Sequence, residues 1–168
     1  MKRLNFNQMK SRYAVRKLSC EDIPEILAFS KTNPQFEEIC GASMTDESIR
    51  KDMTITPPGK NLSDKYYLGF FSDDLLIAVA DIIAGYPDDT TSFIGFFMVR
   101  GNKSGQGIGS EIITSICDFL KAEGFSTARL AYMKGHHQGE HFWMKNRFIA
   151  VKEVRQDECD YVVAERTL

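Results

Sequence analysis

The sequence lacks several things that would have fixed its class at once. No stretch of about 18 consecutive apolar residues occurs, so a membrane-spanning helix is not expected. The basic start Met1-Lys-Arg-Leu has no apolar segment behind it and does not read as a secretory signal. Cysteine is sparse: Cys20, Cys40, Cys117 and Cys159 are far apart and form no C-x-x-C pair. Neither a disulfide framework nor a four-thiolate zinc site is suggested, and the expected compartment is reducing cytoplasm. Charge of one sign is also missing, with 21 Lys and Arg against 23 Asp and Glu, a net −2, so no nucleic acid or membrane partner is expected. Six basic residues and no acid fall between Lys2 and Lys17; they read as a solvated strand edge.

What remains is a globular composition, 43% hydrophobic and 26% charged over 168 residues, enough for one core and a single domain over residues 1–168. Arg12 to Ser19 alternates as a first strand, and Ser19-Cys-Glu-Asp22 caps a helix expected from Glu21 to Lys31. Asn33-Pro34 interrupts it, and a second helical stretch from Thr45 ends before Pro57-Pro58-Gly59. Apolar runs at Lys65–Phe71, Leu75–Ile83 and Thr91–Val99, joined by short polar turns, predict an antiparallel meander. Ile112, Ile113, Ile116 and Leu120 then recur at helical spacing, with Gly124 placed to end the helix. Thr127–Met133 reads as a strand, Gln138–Asn146 as a short helix, and Phe148–Glu165 as a closing strand pair. The fold class is therefore α+β (α/β three-layer): a mixed, mostly antiparallel sheet with helices on both faces.

The densest chemical signal is Val99-Arg-Gly-Asn-Lys-Ser104-Gly105-Gln106-Gly107-Ile108-Gly109-Ser110, between a hydrophobic strand and an amphipathic helix. Alternate glycines let backbone approach a ligand, and the helix start behind them presents free N–H groups and partial positive charge, which suits a phosphate. Neither standard phosphate loop fits. The dinucleotide fingerprint needs glycine or alanine at Ser110, and the P-loop needs Gly-Lys before Ser or Thr.

These residues resemble motif A of the GNAT superfamily of acyl-CoA-dependent N-acetyltransferases, with Val99 and Gly105-Gln-Gly-Ile-Gly109 in register and Ser104 at the usual Gln or Arg position. Phe142-Trp-Met-Lys145-Asn-Arg-Phe148 is similar to the family's later helix-to-strand signature, with Trp143 in place of tyrosine and Arg147 in place of glycine. The resemblance implies splayed parallel strands, Phe93–Val99 and Thr127–Met133, with the pantetheine arm of acetyl-CoA, the co-substrate, between them. It implies that backbone groups of Met98 and Val99 pair with pantetheine, that N–H groups from Ser104 to Ser110 hold the pyrophosphate, and that an N–H near Phe97 or Met98 meets the thioester carbonyl. His136, Phe142, Trp143 and Lys145 would stand along the cofactor. The implied activity is direct transfer of acetyl to a primary amine of a small molecule or peptide, and a homodimer is compatible with the family.

The motif A strand, Phe93-Ile-Gly-Phe-Phe-Met, carries no glutamate, so Asp81 on the preceding strand becomes the candidate general base, with Tyr86, Tyr132, His136 and His137 behind it. Trp143 cannot serve as an acid, because an indole N–H does not ionise in the useful range. An alternative class, a non-catalytic acyl-CoA-binding module, shares every cofactor feature. Asp73, Asp74, Asp88 and Asp89 lie on predicted turns, where they serve the turn or attract a cationic acceptor. His137-Gln-Gly-Glu140-His141 matches the H-x-x-E-H zinc pattern formally, but Gly139 and the lack of a third carboxylate helix speak against zinc, and no metal is expected.

Overall fold

The computed structural model describes residues 3–168; of the basic stretch, Lys2 lies outside the described residues. Strand β1 (Ala14–Lys17) leads through a short 3-10 turn into helix α1 (Ile23–Ser30), followed by α2 (Pro34–Cys40) and α3 (Asp46–Thr54). The meander follows as β2 (Lys65–Ser72), β3 (Leu75–Ala84) and β4 (Thr91–Val99), then α4 (Ile108–Ala122), β5 (Thr127–Met133), α5 (His137–Lys145), β6 (Ile149–Gln156) and β7 (Cys159–Thr167). The seven strands form one sheet in the order β1-β2-β3-β4-β5-β7-β6, antiparallel throughout except for the β4–β5 pair.

The three meander strands fall where apolar runs predicted them, because each run is bounded by residues that suit a turn. Asp73 and Asp74 both adopt left-handed backbone (φ 47° and 64°), as a tight two-residue hairpin requires. Asp88 serves its own turn: its carboxylate accepts from Thr90 N, Thr90 Oγ1 and Thr91 Oγ1. Ser19 and Asp22 make the expected capping box.

Helix α2 corrects the sequence reading, in which Asn33-Pro34 only interrupts. Pro34 occupies the first helical position, where its missing N–H costs nothing, and Gly41 closes the helix in left-handed conformation (φ 70°). The chain thus breaks and restarts at Thr32-Asn33, and the break is used: Thr32 Oγ1 accepts from Gly101 N, and Asn33 Nδ2 donates to Val99 O.

The sheet separates two apolar layers. One face packs Ile112, Ile113, Ile116 and Leu120 of α4 against Leu68, Phe70, Ile77 and Ile82 of the meander. The other packs Ile23, Ile26 and Phe29 of α1 and Ile49 of α3 on Tyr67, Val79 and Met98. Strand alternation therefore sends Phe97 and Val99 to the α4 face and Phe96 and Met98 to the α1–α3 face.

Two irregularities position the site. Strands β4 and β5 pair in parallel only from Thr91↔Thr127 to Ile94↔Leu130, after which, among the described residues, β4 runs on without a strand partner on that side. At the same point the β3–β4 register slips, with Asp81 opposite Phe96 and Ile82 opposite Ile94, leaving Gly95 as the bulged residue.

Candidate active site

A cleft of about 380 Å³ opens where β4 leaves β5, within the range of roughly 300–1,000 Å³ usual for small-molecule sites. It is lined by Phe97, Met98 and Val99 of β4, by the turn residues Ser104, Gly105, Gly107, Gly109 and Ser110, and by His136, Phe142, Trp143 and Lys145 of the α5 segment. Two of the fourteen expected cofactor residues are not on its wall. Gln106 donates instead to Asn102 O, and Ile108 packs into the α4-side core.

The backbone of β4 at the gap follows from the β3 register. Arg100 N donates to Ile77 O, which makes 100/77 a hydrogen-bonded pair and, by antiparallel alternation, 98/79 another. The N–H and C=O of Met98 are thus turned to β3, and those of Phe97 and Val99 face the gap. Of the two residues expected to offer backbone there, Val99 does and Met98 does not, because Met98 lies in the ladder. The Val99 carbonyl already accepts from Asn33 Nδ2.

The glycine turn divides into two kinds of glycine. Gly105 and Gly107 are left-handed (φ 76° and 80°), and a Cβ on either would meet nothing within 4 Å. They are required for conformation, beside open space. Gly109 is required for packing, since a Cβ there would come within 3.0 Å of Phe142 and 3.3 Å of Val99. Among the described residues the N–H groups of Gly105 through Ser110 have no acceptor; Ser104 N donates to Gly101 O and Glu111 N to Gly107 O. Several unpaired donors at the positive end of a four-turn helix, with Lys103 and Lys145 on the same cleft, can hold an anion.

The far wall is aromatic. Phe97 and Phe142 stack with ring centres 5.8 Å apart, and Trp143 lies against both at 6.0 and 4.9 Å. Asn146, which sequence reasoning passed over, locks this wall to the turn: its side chain donates to Ser110 Oγ and to Phe142 O, and its carbonyl accepts from Arg166. At the glycine position of the helix-to-strand signature, Arg147 adopts φ 68°, so the left-handed conformation is kept with a residue that disfavours it. Gln35, Phe36 and Ile39 of α2, which was not foreseen, and the Asn33 that precedes it close one side of the cleft. Proline at the first helical position and Gly41 after the last were the available signals.

Asp81 lies in the middle of β3, on the α1–α3 face, directly opposite Tyr67 on β2 and Phe96 on β4. Its Oδ2 accepts from Lys65 Nζ at 2.5 Å, with Lys65 only 2% exposed. Oδ1 and the Tyr67 hydroxyl are buried without a hydrogen-bond partner among the described residues. Burial lifts the Asp81 carboxyl to about 6, the Lys65 cation opposing the rise and the Asp52 carboxylate adding to it. Burial likewise raises Asp52 and Tyr67 and lowers Lys17, whose ammonium donates to Lys65 O. Nothing in the sequence announced Lys65 as a partner, because a lysine at a strand start usually points to water.

The lesser base candidates are placed differently. Tyr132 is 8% exposed and its phenol is raised by burial, His137 projects outward with its side chain 91% exposed, and Tyr86 packs edge-on against Phe93. His136 remains on the cleft, over Gly139, where a Cβ would strike its ring at 2.5 Å. Among the described residues no group of three or more His, Cys, Asp or Glu could hold a metal ion, and no helix is long and apolar enough to cross a membrane.

Known proteins match this arrangement. An acetyltransferase from Thermus thermophilus superposes with a TM-score of 0.77 at 15% identity, over 95% of this chain and 99% of that one. The PaiA N-acetyltransferase from Thermoplasma acidophilum, solved in complex with coenzyme A, gives 0.66 at 17% identity over 93% and 99%. A ribosomal-protein-alanine N-acetyltransferase from Brucella melitensis gives 0.66 at 14% over 92% and 99%. At such identities these likenesses establish the fold. No curated protein sequence matches this chain significantly. The sequence model of the Acetyltransferase (GNAT) family matches residues 29–148, from the end of α1 to the start of β6 and well over half of the chain, so the protein belongs to the GNAT acetyltransferase family.

Proposed function

We propose that the protein is an N-acetyltransferase that moves an acetyl group from acetyl-CoA to a primary amine of a small molecule or peptide in a ternary complex. The observation that carries this reading is the set of N–H groups from Gly105 to Ser110 without acceptors, at the mouth of a cleft whose other edge is unpaired strand. Those groups take the pyrophosphate; Lys103 and Lys145 add charge from the cleft wall. The pantetheine arm lies along β4, pairing with Phe97 and Val99. A donor from Phe97 stabilises the oxyanion that develops when the amine attacks. The aromatic wall of Phe97, Phe142 and Trp143 excludes water from the thioester.

An alkyl ammonium at neutral pH is about three units below its pKa, so a proton acceptor is needed. Asp81 fits: it stands opposite Phe96 at the splay, and a carboxyl lifted to about 6 is ionised at pH 7 yet takes protons more readily than a surface aspartate. The departing thiolate, with an ordinary pKa of about 8.5, leaves without an acid from Trp143. The ribosomal-protein-alanine N-acetyltransferase from Brucella melitensis, which shares this fold, is by its name an enzyme with a protein amine as acceptor.

The test is release of free thiol from acetyl-CoA with a panel of amines, beside calorimetric measurement of CoA binding. Amine-dependent thiol release with matching N-acetyl product is the expected result. Tight CoA binding without turnover across the panel would select the non-catalytic acyl-CoA-binding module instead.

A further inference from the structure

A second cavity, of about 640 Å³, lies apart from the cleft and shares no wall residue with it. It opens between the N-terminal segment and the short turn before β2, and its size is again within the usual range for small-molecule sites. One wall is pinned in place. Leu4 N donates to the Tyr66 hydroxyl at 2.9 Å, and Phe6 packs on Tyr66 and Phe119 with ring centres 5.1 and 4.7 Å apart. Phe6 and Tyr66 thus give the cavity an apolar floor, and Leu62 stands at its rim 54% exposed.

Two cations reach the same space. Lys17 folds back over β2: its ammonium donates to Lys65 O at 3.0 Å and lies 5.6 Å from the centre of the Tyr66 ring, which leaves two N–H donors unused. Arg3 lines the cavity beside it and has no ion pair among the described residues. Burial, with the Arg3 and Lys65 cations, holds Lys17 below the ordinary lysine value. The carboxylate that opposes this fall, Asp81, is already paired with Lys65. The acid on the cavity wall is Asp64, one oxygen of which accepts from Asn61 N. Two cations against one carboxylate leave a single positive charge in excess.

We infer that this cavity is a second ligand site, which takes a small monocarboxylate on an apolar body: the carboxylate lies between Arg3 and Lys17, and the body covers Leu62 over the Phe6–Tyr66 floor. The class follows from charge and surface together. A carboxylate matches the fork of a guanidinium, and one negative charge neutralises the excess, whereas a phosphate dianion overshoots it beside Asp64. A bare anion leaves Leu62 in water, and a neutral apolar molecule leaves two cations unmatched. The inference goes beyond the acetyl-transfer reading and does not depend on it.

The experiment titrates 15N-labelled protein, read at each amide by NMR, with phenylacetate, its neutral isostere phenylacetamide, acetate and phenyl phosphate, at about pH 8 where the last is a dianion. Phenylacetate should give saturable shifts among residues 4–7 and 62–66 and none from Gly105 to Ser110. Phenylacetamide should bind at least about fivefold more weakly, the scale of one exposed charge pair, and acetate at least about tenfold more weakly for want of apolar contact. Phenyl phosphate should bind no more tightly than phenylacetate. Lys17→Met and Arg3→Gln should each weaken phenylacetate at least about fivefold, the same scale of one exposed charge pair. No saturable shift, shifts confined to the cleft, equal binding of phenylacetamide or acetate, or tighter binding of phenyl phosphate would overturn the site. So would unchanged phenylacetate affinity in both charge variants. Should Lys17→Met unfold in a thermal melt, Arg3→Gln and the wild-type series decide.

Discussion

The two sides of the β4 splay are built on different principles. On the α4 side, the lining is backbone: left-handed Gly105 and Gly107, a helix start, and N–H groups that have no acceptor among the described residues. On the α1–α3 side, the proposed proton acceptor stands among side chains drawn from distant segments, Lys65 from β2, Asp81 from β3 and Asp52 from α3. A backbone site should tolerate exchange of the side chains within it, such as that of Ser104. A side-chain site should fail at any single member.

Two large expected effects test the two sides, the first on the backbone side. Gly107→Asp places a carboxylate in the open space beside a left-handed residue and opposes an anion there; CoA affinity by calorimetry should fall at least about 100-fold, the cost of roughly 3 kcal/mol of lost and repelled charge. On the side-chain side, Asp81→Asn should lower kcat by about 10²- to 10⁴-fold, the usual worth of a general base, with CoA affinity unchanged in the same calorimetric assay. The contrast is lost if either variant damages both functions.

A smaller effect sharpens the electrostatics. Activity that needs the Asp81 carboxylate should be present above about pH 6 and fall as the pH drops through that value and the group protonates. Lys65 opposes the rise caused by burial, so Lys65→Met should move the acid limb of the pH–rate profile upward, and Lys65→Arg should restore most of it. A limb that stays in place in Lys65→Met would separate the lysine from the proton step. The smallest effect concerns the fold alone: Arg147→Gly relieves a left-handed residue at φ 68° and should stabilise by about 1 kcal/mol, raising Tm by a few degrees in a thermal melt.

The same division explains what the sequence disclosed. The meander, the glycine turn and α4 were legible because turn chemistry and apolar period are local, and the cleft formed where the turn predicted it. Helix α2 was missed because Asn33-Pro34 reads equally as a stop and as a start; Gly41 after the last turn is the sequence signal for a start, and Phe36 packs edge-on against Phe96 in the folded chain. The sequence does not separate Met98 from Val99 as backbone partners, because the side of a strand that carries free amides depends on ladder phase, which one sequence does not contain. Lys65–Asp81 was hidden for a related reason, since the pair forms diagonally across β2 and β3 and requires their register. Asp81 itself is singled out as a candidate only by the absence of a glutamate on the next strand.

The central claim is that free backbone amides of the turn hold the pyrophosphate of the co-substrate. Titration of 15N-labelled protein with CoA, read at each amide by NMR, tests it directly. The account predicts saturable shifts that are largest for Gly105 through Ser110 and absent in Gly107→Asp. Shifts confined to other segments, or none at those six amides at saturating CoA, would contradict it.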